Sequence, residues 1–277
     1  MADREPVLGV LRPGNAAEII GRKIVLGHLT PGTTLPNLDR LAEEFSMSRL
    51  TMREAIRMLA GKGLVSSAPR RGTVVRPPED WSRLDADVLG WQIGAVPNAA
   101  FIRNLFELRR MVEPEAAALA ASRANARDIA AIERALAAMA AAESRAPESI
   151  NADVDFHQAI LKATGNEFIA ALAPTIGQAL MLAITIQRDA WPDVENFVPS
   201  HRLILDAIQR GDVEAARKAV NTLLVRAEGD ALDGIRLMGK DSNEFGNPGV
   251  HENDAWTPVG GRARATTAKS KVVDGRR

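Results

Sequence analysis

The chain contains no cysteine, and this absence removes several classes of function. Without a thiol there is no disulfide framework, no cysteine nucleophile and no thiolate ligand for a metal. Long apolar runs are also missing, since the longest, residues 179–186, is far too short to span a bilayer. The N-terminal stretch lacks the apolar segment of a signal peptide. We therefore expect a cytoplasmic protein with no membrane association.

The sequence signatures of common enzyme classes are absent as well. We find no nucleophile elbow, no phosphate-binding loop and no dinucleotide fingerprint. The net charge is zero, but residues 1–78 hold 12 Lys and Arg against 7 Asp and Glu, whereas residues 79–238 hold 16 against 23. A basic head joined to an acidic body is typical of a DNA-binding module with a separate sensing domain. We therefore expect a binding protein and not an enzyme.

Residues 35–75 carry the pattern of two short helices followed by a basic hairpin. Apolar side chains at helical spacing predict the first helix, with Asn37 as its N-cap. Ser48 is placed to cap the second helix. After that helix, Arg71 and Gly72 predict a basic turn between two short strands. The order of these elements predicts a winged helix-turn-helix.

The second helix of this pattern begins with side chains suited to DNA. Its first turn offers Ser48, Arg49, Thr51 and Arg53, which together can supply hydrogen-bond donors for both phosphates and base edges. The helix macrodipole disfavours cations at this end, so helix stability does not explain the arginines. The alternative is that they merely solvate an exposed face, as most charge runs do. The adjoining basic turn favours DNA binding.

In this segment the chain resembles the GntR family of bacterial transcription regulators. The matching residues are Leu35-Pro36, Met47-Ser48-Arg49, Met52-Arg53-Glu54-Ala55-Ile56 and Arg71-Gly72-Thr73. After its Leu-Pro the family has Ser-Glu-Arg, whereas this chain has Asn37-Leu38-Asp39, and the missing arginine leaves Arg40 as a substitute. Leu50-Thr51 likewise stands where Thr-Pro is common.

The resemblance implies a role for each matching side chain. It implies that Arg49 and Arg53 reach bases or adjacent phosphates and that Arg71 with Gly72 enters the minor groove. The resemblance implies double-stranded operator DNA as the partner and a homodimer as the binding form. The expected DNA-binding residues are Arg40, Ser48, Arg49, Thr51, Arg53, Arg71 and Gly72.

Pro77-Pro78 marks a boundary, because two prolines stiffen the chain and stop a helix or strand. Residues 81–91, with a tryptophan at each end, predict a short helix. Long helical patterns follow, with little strand signal, and Asp128 is one of the expected caps. The predicted helices span residues 99–122, 126–142, 148–163, 167–188, 194–210 and 213–237.

The expected fold class is mainly α, with an N-terminal winged helix-turn-helix followed by an all-helical bundle that acts as a sensing domain. The low-pattern C-terminal segment, rich in Gly, Pro, Asn, Thr and Lys, is expected to be disordered. The predicted limits are 8–76 for the DNA-binding domain, 77–97 for the linker and short helix, 98–237 for the bundle and 238–277 for the tail.

The helical part resembles the ligand-binding FCD domain of the FadR subfamily. The matching motifs are Arg109-x-x-x-Glu113-Pro114, Asp153-x-x-Phe156-His157, Gly165-Asn166, His201-Arg202 and Gly211-Asp212. With the linker run Leu84-Asp85-x-Asp87-Val88-Leu89-x-Trp91, the chain looks most similar to the galactonate-responsive repressors of sugar-acid breakdown.

One motif of the bundle indicates a metal. Asp153 and His157 are four residues apart, so they project from one helix face, and His201 from another helix could be a third ligand. The family often has a further histidine where this chain has Leu223. Water or ligand oxygens would then complete a zinc-like divalent site. Two alternatives remain: the same groups bind the ligand without a metal, or Asp153 only orients His157 in the core.

A sugar acid also needs a cation for its carboxylate, and Arg109 is the expected clamp, because guanidinium geometry matches a carboxylate. The alternative for Arg109 is a salt bridge with Glu113 one helical turn on. Gln187, Arg188 and Trp191 would contact hydroxyls or the apolar face of the ligand. The expected effector-binding residues are Arg109, Asp153, His157, Gln187, Arg188, Trp191 and His201.

Together these features predict a homodimeric repressor of sugar-acid catabolism that leaves its operator when its acid effector binds. Three other functions stay open. The effector could be another small carboxylate. The bundle could be a metal-dependent enzyme, although it offers a single Asp-x-x-x-His where di-metal bundles need several acidic pairs. The chain could also be an architectural DNA-binding protein without a sensing role.

Overall fold

The computed structural model describes residues 12–68, 70–92, 99–142, 146–190 and 197–237. It confirms the expected fold class, a winged helix-turn-helix followed by a helical bundle. The N-terminal head combines helices with one antiparallel hairpin. Its elements are α1 (Pro13–Val25), α2 (Leu38–Glu44), α3 (Arg49–Gly61), β1 (Val65–Ala68) and β2 (Gly72–Val75).

Side-chain caps determine where the two helices of the head begin. The side chain of Asn37 accepts a hydrogen bond from the backbone N–H of Arg40 at 2.9 Å. Ser48 Oγ accepts one from the N–H of Thr51 at 3.0 Å. Each cap satisfies a donor that the first helical turn leaves free. Both caps were predicted from the sequence and are confirmed.

The predicted hairpin forms between β1 and β2, with Val65 opposite Val75 and Ala68 opposite Gly72. Gly72 has a φ of 75°, in the left-handed region that favours glycine. Arg70 also has a positive φ, of 65°. This tight turn brings Arg71 to the exposed tip of the hairpin.

The bundle consists of long helices packed around one apolar core. α5 packs along α11, and α6 packs along α7. The helices of this part are α4 (Ala86–Gly90), α5 (Ala99–Arg123), α6 (Ala126–Ala141), α7 (Pro147–Ala163), α8 (Glu167–Ala171), α9 (Ala173–Ala190), α10 (Val198–Gln209) and α11 (Val213–Leu237).

Two predicted helices and one predicted cap differ from the structure. The predicted helix over residues 167–188 is interrupted at Leu172, because Pro174 lacks an N–H and its ring clashes with the preceding turn. The predicted helix over residues 81–91 shrinks to α4, which starts where the Asp85 side chain caps the N–H groups of the next turn. α6 is capped by Asn125, and Asp128 completes the capping box from inside the helix.

Helix α4 belongs to both apolar cores. Val88 and Trp91 are buried in the core of the head, whereas Leu89 is buried in the core of the bundle. The Trp91 indole lies directly against Gly21 of α1, where any Cβ would collide with the ring. Lys62, which follows α3, lies 2.8 Å from Asp85 Oδ1. The described part of the connecting segment, up to residue 92, is therefore packed against both.

Among the described helices, none combines the length and the apolar character needed to cross a membrane. The segment expected to be a disordered tail, residues 238–277, lies outside the described residues.

A substitution at Gly63 tests the geometry of the turn that joins α3 to the wing. Gly63 has a φ of 76°, and a Cβ there would collide with the carbonyl oxygen of Asp80. We expect Gly63→Ala to lower the free energy of unfolding by about 2 kcal/mol, because a left-handed residue with a Cβ is strained. Urea unfolding followed by circular dichroism measures the change.

The matched control is Gly61→Ala, two residues earlier. A Cβ at Gly61 meets nothing within 4 Å, and the position is the last of α3. We expect this variant to equal or exceed the parent in stability, since alanine favours a helix over glycine. Equal losses of stability in the two variants would contradict the steric argument.

Candidate functional site

A cluster of charged and polar side chains lies inside the bundle. Arg109 and Glu113 come from α5, Asp153 and His157 from α7, and His201 from α10. The exposed fraction is 0% for Arg109, 3% for Glu113 and 2% for each histidine. Buried charges require partners, so the contacts within this cluster determine what it can bind.

Glu113 joins Arg109 to His157. One carboxylate oxygen, Oε1, accepts a hydrogen bond from Arg109 Nε at 2.6 Å. The other, Oε2, lies 2.8 Å from His157 Nδ1, which donates to it. Burial alone would raise the pKa of the Glu113 carboxyl, but the Arg109 guanidinium and the His157 ring lower it to about 2. Glu113 is therefore an ionised carboxylate at neutral pH.

Asp153 lies between the two histidines. Its Oδ1 is 3.1 Å from His201 Nε2 and 3.4 Å from His157 Nε2. Burial alone would raise the pKa of Asp153, but the neighbouring His201 lowers it. Burial alone would lower the pKa of His201, and the Asp153 carboxylate raises it instead. The pair therefore favours an ionised carboxylate beside a cation.

The three groups form a donor set that fits a divalent metal. One ligand atom each from Asp153, His157 and His201 lie within 4.8 Å of one another. His201 Nδ1 lies 2.8 Å from the carbonyl oxygen of Phe197, as His157 Nδ1 does from Glu113. His157 Nε2 is buried and has no hydrogen-bond partner among the described residues. Two imidazoles anchored through Nδ1 and facing one carboxylate are suited to an ion of the zinc type.

Four members of the cluster, Arg109, Asp153, His157 and His201, line one cavity of about 840 Å³, a volume that includes the open solvent at its mouth. Leu180, Ile184 and Leu223 give part of its wall an apolar character. The polar and charged side chains around it are Arg109, Ser149, Asp153, His157, Gln187, Ser200, His201 and Arg226. The cavity thus offers cations, hydroxyls and apolar surface to a single small molecule.

The structure brings most of the sequence-predicted effector residues to this cavity. Arg109 makes the salt bridge with Glu113 that was the alternative to a ligand clamp, but its Nη1 has no partner among the described residues. Gln187 lines the cavity and donates a hydrogen bond from Nε2 to the carbonyl oxygen of Ala227 at 3.0 Å. The Arg188 side chain and Trp191 lie outside the described residues.

Some cavity residues were missed by sequence reasoning. Ser149 precedes Asp153 by four residues on α7, and Ser200 precedes His201 directly. The first of these could have been found, because a spacing of four places two side chains on the same helix face. Arg226 carries no comparable signal, since its approach to the cavity depends on how α11 packs.

The expected DNA-binding side chains lie at the surface of the head. The side chains of Arg40 and Arg49 are mostly exposed, and they pair at 3.2 Å with Glu44 and Asp39. Such exposed pairs are weak, so both guanidinium groups can turn to phosphates. Ser48 and Thr51 share the helix cap, with their hydroxyl oxygens 2.8 Å apart. The remaining members of the set, Arg53, Arg71 and Gly72, are also exposed.

A winged helix-turn-helix head joined to a helical bundle is the architecture of a DNA-binding transcriptional regulator. Residues 14–75 match the family described as bacterial regulatory proteins, gntR family, and residues 104–226 match the FCD domain.

The Galactonate operon transcriptional repressor of Escherichia coli is 34% identical over 209 residues, which cover 74% of this chain and 90% of that protein. The Putative L-lactate dehydrogenase operon regulatory protein of the same organism is 29% identical, over 70% of this chain and 76% of that protein. The solved structure of Lar, which controls expression of the Listeria monocytogenes agr system, is 18% identical in sequence and matches with a TM-score of 0.58. The match covers 83% of this chain and 99% of the Lar chain.

The chain belongs to the GntR family of transcriptional regulators and carries an FCD domain. Because these relatives are transcriptional regulators, the alternative of a metal-dependent enzyme is set aside, and the expectation of a regulator that is not an enzyme is confirmed. GntR regulators bind operator DNA, which is the class of partner expected from the sequence.

Leu223 offers a test of the metal-binding arrangement. It lines the cavity at the position where the resemblance gives many relatives a further histidine. We expect Leu223→His to tighten Zn²⁺ binding about tenfold, because a fourth protein ligand would complete a tetrahedral set. Competition titration against a chelator of known affinity measures the change.

Val225→His is the matched control, because Val225 lies on the same helix but is 63% exposed. A histidine there should leave zinc affinity unchanged. If both variants tightened binding equally, adventitious surface chelation would explain the effect and the cavity would not be the site.

Proposed function

We propose that this regulator is a repressor whose dimer binds a two-fold operator and releases it when a small hydroxy acid, of the sugar-acid class, enters the bundle. The observation that carries the proposal is a cavity lined both by Arg109, whose Nη1 has no hydrogen-bond partner among the described residues, and by Asp153, His157 and His201. The proposed limits of the head, linker and sensing domain remain those predicted from the sequence.

The chemistry of the cavity supports an acid as the effector. The free edge of Arg109 can bind a carboxylate, and the apolar surroundings strengthen that interaction. Ser149, Ser200 and Gln187 supply groups for ligand hydroxyls. Because one relative is named for galactonate, galactonate is the first candidate for the acid that binds in this cavity.

The same cavity fits a divalent cation held by Asp153, His157 and His201. Such an ion would supply positive charge for carboxylate and hydroxyl oxygens of the ligand. Glu113 and the Phe197 carbonyl orient the two imidazoles from behind. Arg109 would then bind the acid from another wall of the cavity.

Helix α9 provides a route from the cavity to the head. Leu180 and Gln187 on this helix line the cavity. Thr175, near its start, donates a hydrogen bond from Oγ1 to the carbonyl oxygen of Leu84 at 2.6 Å, and Gln178 lies against Gly90. A ligand that shifts α9 would therefore move α4, which shares the core of the head. By linkage, DNA must then weaken the binding of the acid as the acid weakens the binding of DNA.

A second candidate is a regulator of a smaller carboxylate, such as a simple 2-hydroxy acid. The partly apolar wall formed by Ile150, Leu180 and Ile184 favours it, since a sugar acid presents hydroxyls along its length. The relative named for the lactate dehydrogenase operon points the same way.

Operator binding should depend on the start of α3. We expect Arg53→Ala to weaken binding to an operator selected by the wild-type chain by roughly tenfold, because a bidentate base contact contributes about 1–3 kcal/mol. Fluorescence anisotropy at fixed salt measures the affinity. Arg134→Ala on the exposed face of α6 is the control and should bind like the wild type. Equal affinity of both variants would remove α3 from the interface.

Release of DNA should depend on Arg109. With the operator bound, we expect D-galactonate to lower operator affinity at least about fivefold in the wild type, which is a typical coupling. Arg109→Met should bind the operator but ignore the acid. Arg103→Met, on the exposed face of the same helix, should respond like the wild type.

Two further arms of that experiment separate the candidates. L-lactate in place of D-galactonate tests the smaller acid, and a response to lactate alone would select it. A chelator added before the acid tests the cation, and an undiminished response would mean that the protein groups bind the acid directly. If no acid changed operator affinity in the wild type, ligand-induced release would be refuted.

A further inference from the structure

We propose that Glu113 is a positioning residue that holds the proton of His157 on Nδ1 and, through its other oxygen, orients Arg109 for the acid. This inference rests on the proposed function and extends it. In this arrangement Glu113 contacts both His157 of the cation site and Arg109, which binds the carboxylate of the acid. Binding at one of the two places therefore depends on the other.

The geometry of the Glu113 carboxylate supports a double role. Its two oxygens bind different partners on different helices, Arg109 on α5 and His157 on α7. The distances are 2.6 Å to Arg109 Nε and 2.8 Å to His157 Nδ1. All three side chains are at most 3% exposed, so water does not compete for these hydrogen bonds. The orientation of each partner therefore depends on Glu113.

The hydrogen bond to Glu113 determines which nitrogen of His157 is free. A carboxylate oxygen can only accept a hydrogen bond, so the contact with Glu113 places a proton on Nδ1 and leaves Nε2 as the ring nitrogen that can bind a cation. That atom is buried, unpartnered among the described residues and 3.4 Å from Asp153 Oδ1. The tautomer thus prepares His157 to be a ligand.

Glu113 also decides which edge of Arg109 faces the cavity. The carboxylate occupies Nε, and Oε2 lies 3.4 Å from Nη2. Nη1 has no partner among the described residues, and Arg109 lines the cavity. A planar guanidinium held along one edge cannot rotate without breaking that pair. Its remaining donors therefore stay directed to one place.

The variant Glu113→Gln separates positioning from packing, because an amide has the same shape but one acceptor and one donor. Its oxygen can accept from Arg109, and its NH2 group then faces His157 Nδ1. That ring nitrogen must accept, so the proton moves to Nε2 and points at Asp153. A group that only filled space would not change the tautomer.

The experiment uses the full chain, with Zn²⁺ as the probe of the cation site and D-galactonate as the probe of the clamp. Nitrogen NMR of labelled histidine reports the tautomer of His157 in the metal-free protein. We expect Nδ1–H in the wild type and Nε2–H in Glu113→Gln. We expect the variant to bind Zn²⁺ roughly 10–100-fold more weakly, which is typical for loss of such a partner.

Glu115→Gln is the matched control. Glu115 lies two residues further along α5 and pairs at the surface with Arg217, so its loss removes a carboxylate from the same helix without touching the cavity. Its zinc affinity and histidine spectrum should equal those of the wild type. Zn²⁺ should tighten D-galactonate binding in the wild type and in this control, but not in Glu113→Gln.

Each outcome decides the proposal. A wild-type His157 that carries its proton on Nε2 would overturn the proposal. Because this NMR measurement uses the wild-type protein alone, it tests the proposal even if Glu113→Gln does not fold. Zinc affinity within threefold of the wild type in a folded Glu113→Gln would also overturn it. If D-galactonate bound to none of the proteins, the proposed sugar-acid function would fail, while the tautomer and zinc measurements would still decide the role of Glu113.

Discussion

Burying an ionised carboxylate costs several kcal/mol unless cations and hydrogen bonds compensate for the lost water, and the site in the bundle depends on how Glu113 meets this constraint. Its two oxygens bind one guanidinium and one imidazole. Both partners are thereby held in fixed orientations, and each keeps one nitrogen that has no hydrogen-bond partner in the part of the chain that the structure describes. The Arg109 and His157 side chains that neutralise and bind the Glu113 carboxylate also supply polar groups to the cavity.

The connection between the two halves of the molecule is a packed one. The five-residue helix α4 contributes to both apolar cores, and α9 contacts it at one end while lining the cavity further along. Lys62, which follows the last residue of α3, forms ion pairs with Asp85 and Asp87. Small shifts in the bundle can thus reach the head through contacts between rigid elements.

Much of the fold could be predicted from the sequence, because caps and apolar periodicity are local signals. Asn37 and Ser48 are residue types that favour the N-cap, so they predict where α2 and α3 begin. Pro77-Pro78 marks the end of the β1–β2 hairpin. The break at Leu172 was missed, since the apolar pattern continues across it and Pro174 is tolerated near a helix start.

The site was harder to predict, because it depends on how helices meet. The spacing of Asp153 and His157 predicted a shared face, and the salt bridge of Arg109 was weighed as an alternative to a clamp. That Glu113 serves Arg109 and His157 at once could not be read from spacing, since it requires α5 to lie against α7.

The shared packing of α4 restricts how the head and the bundle could be exchanged between proteins. Val88 and Trp91 pack in the core of the head, whereas Leu89 packs in the core of the bundle. Adjacent residues therefore pack in different domains. No splice point within this helix leaves both cores intact. A chimera that fuses this bundle to the DNA-binding domain of another protein must therefore provide a surface that accommodates the Trp91 indole. At the position of Gly21 that surface needs a residue equally small.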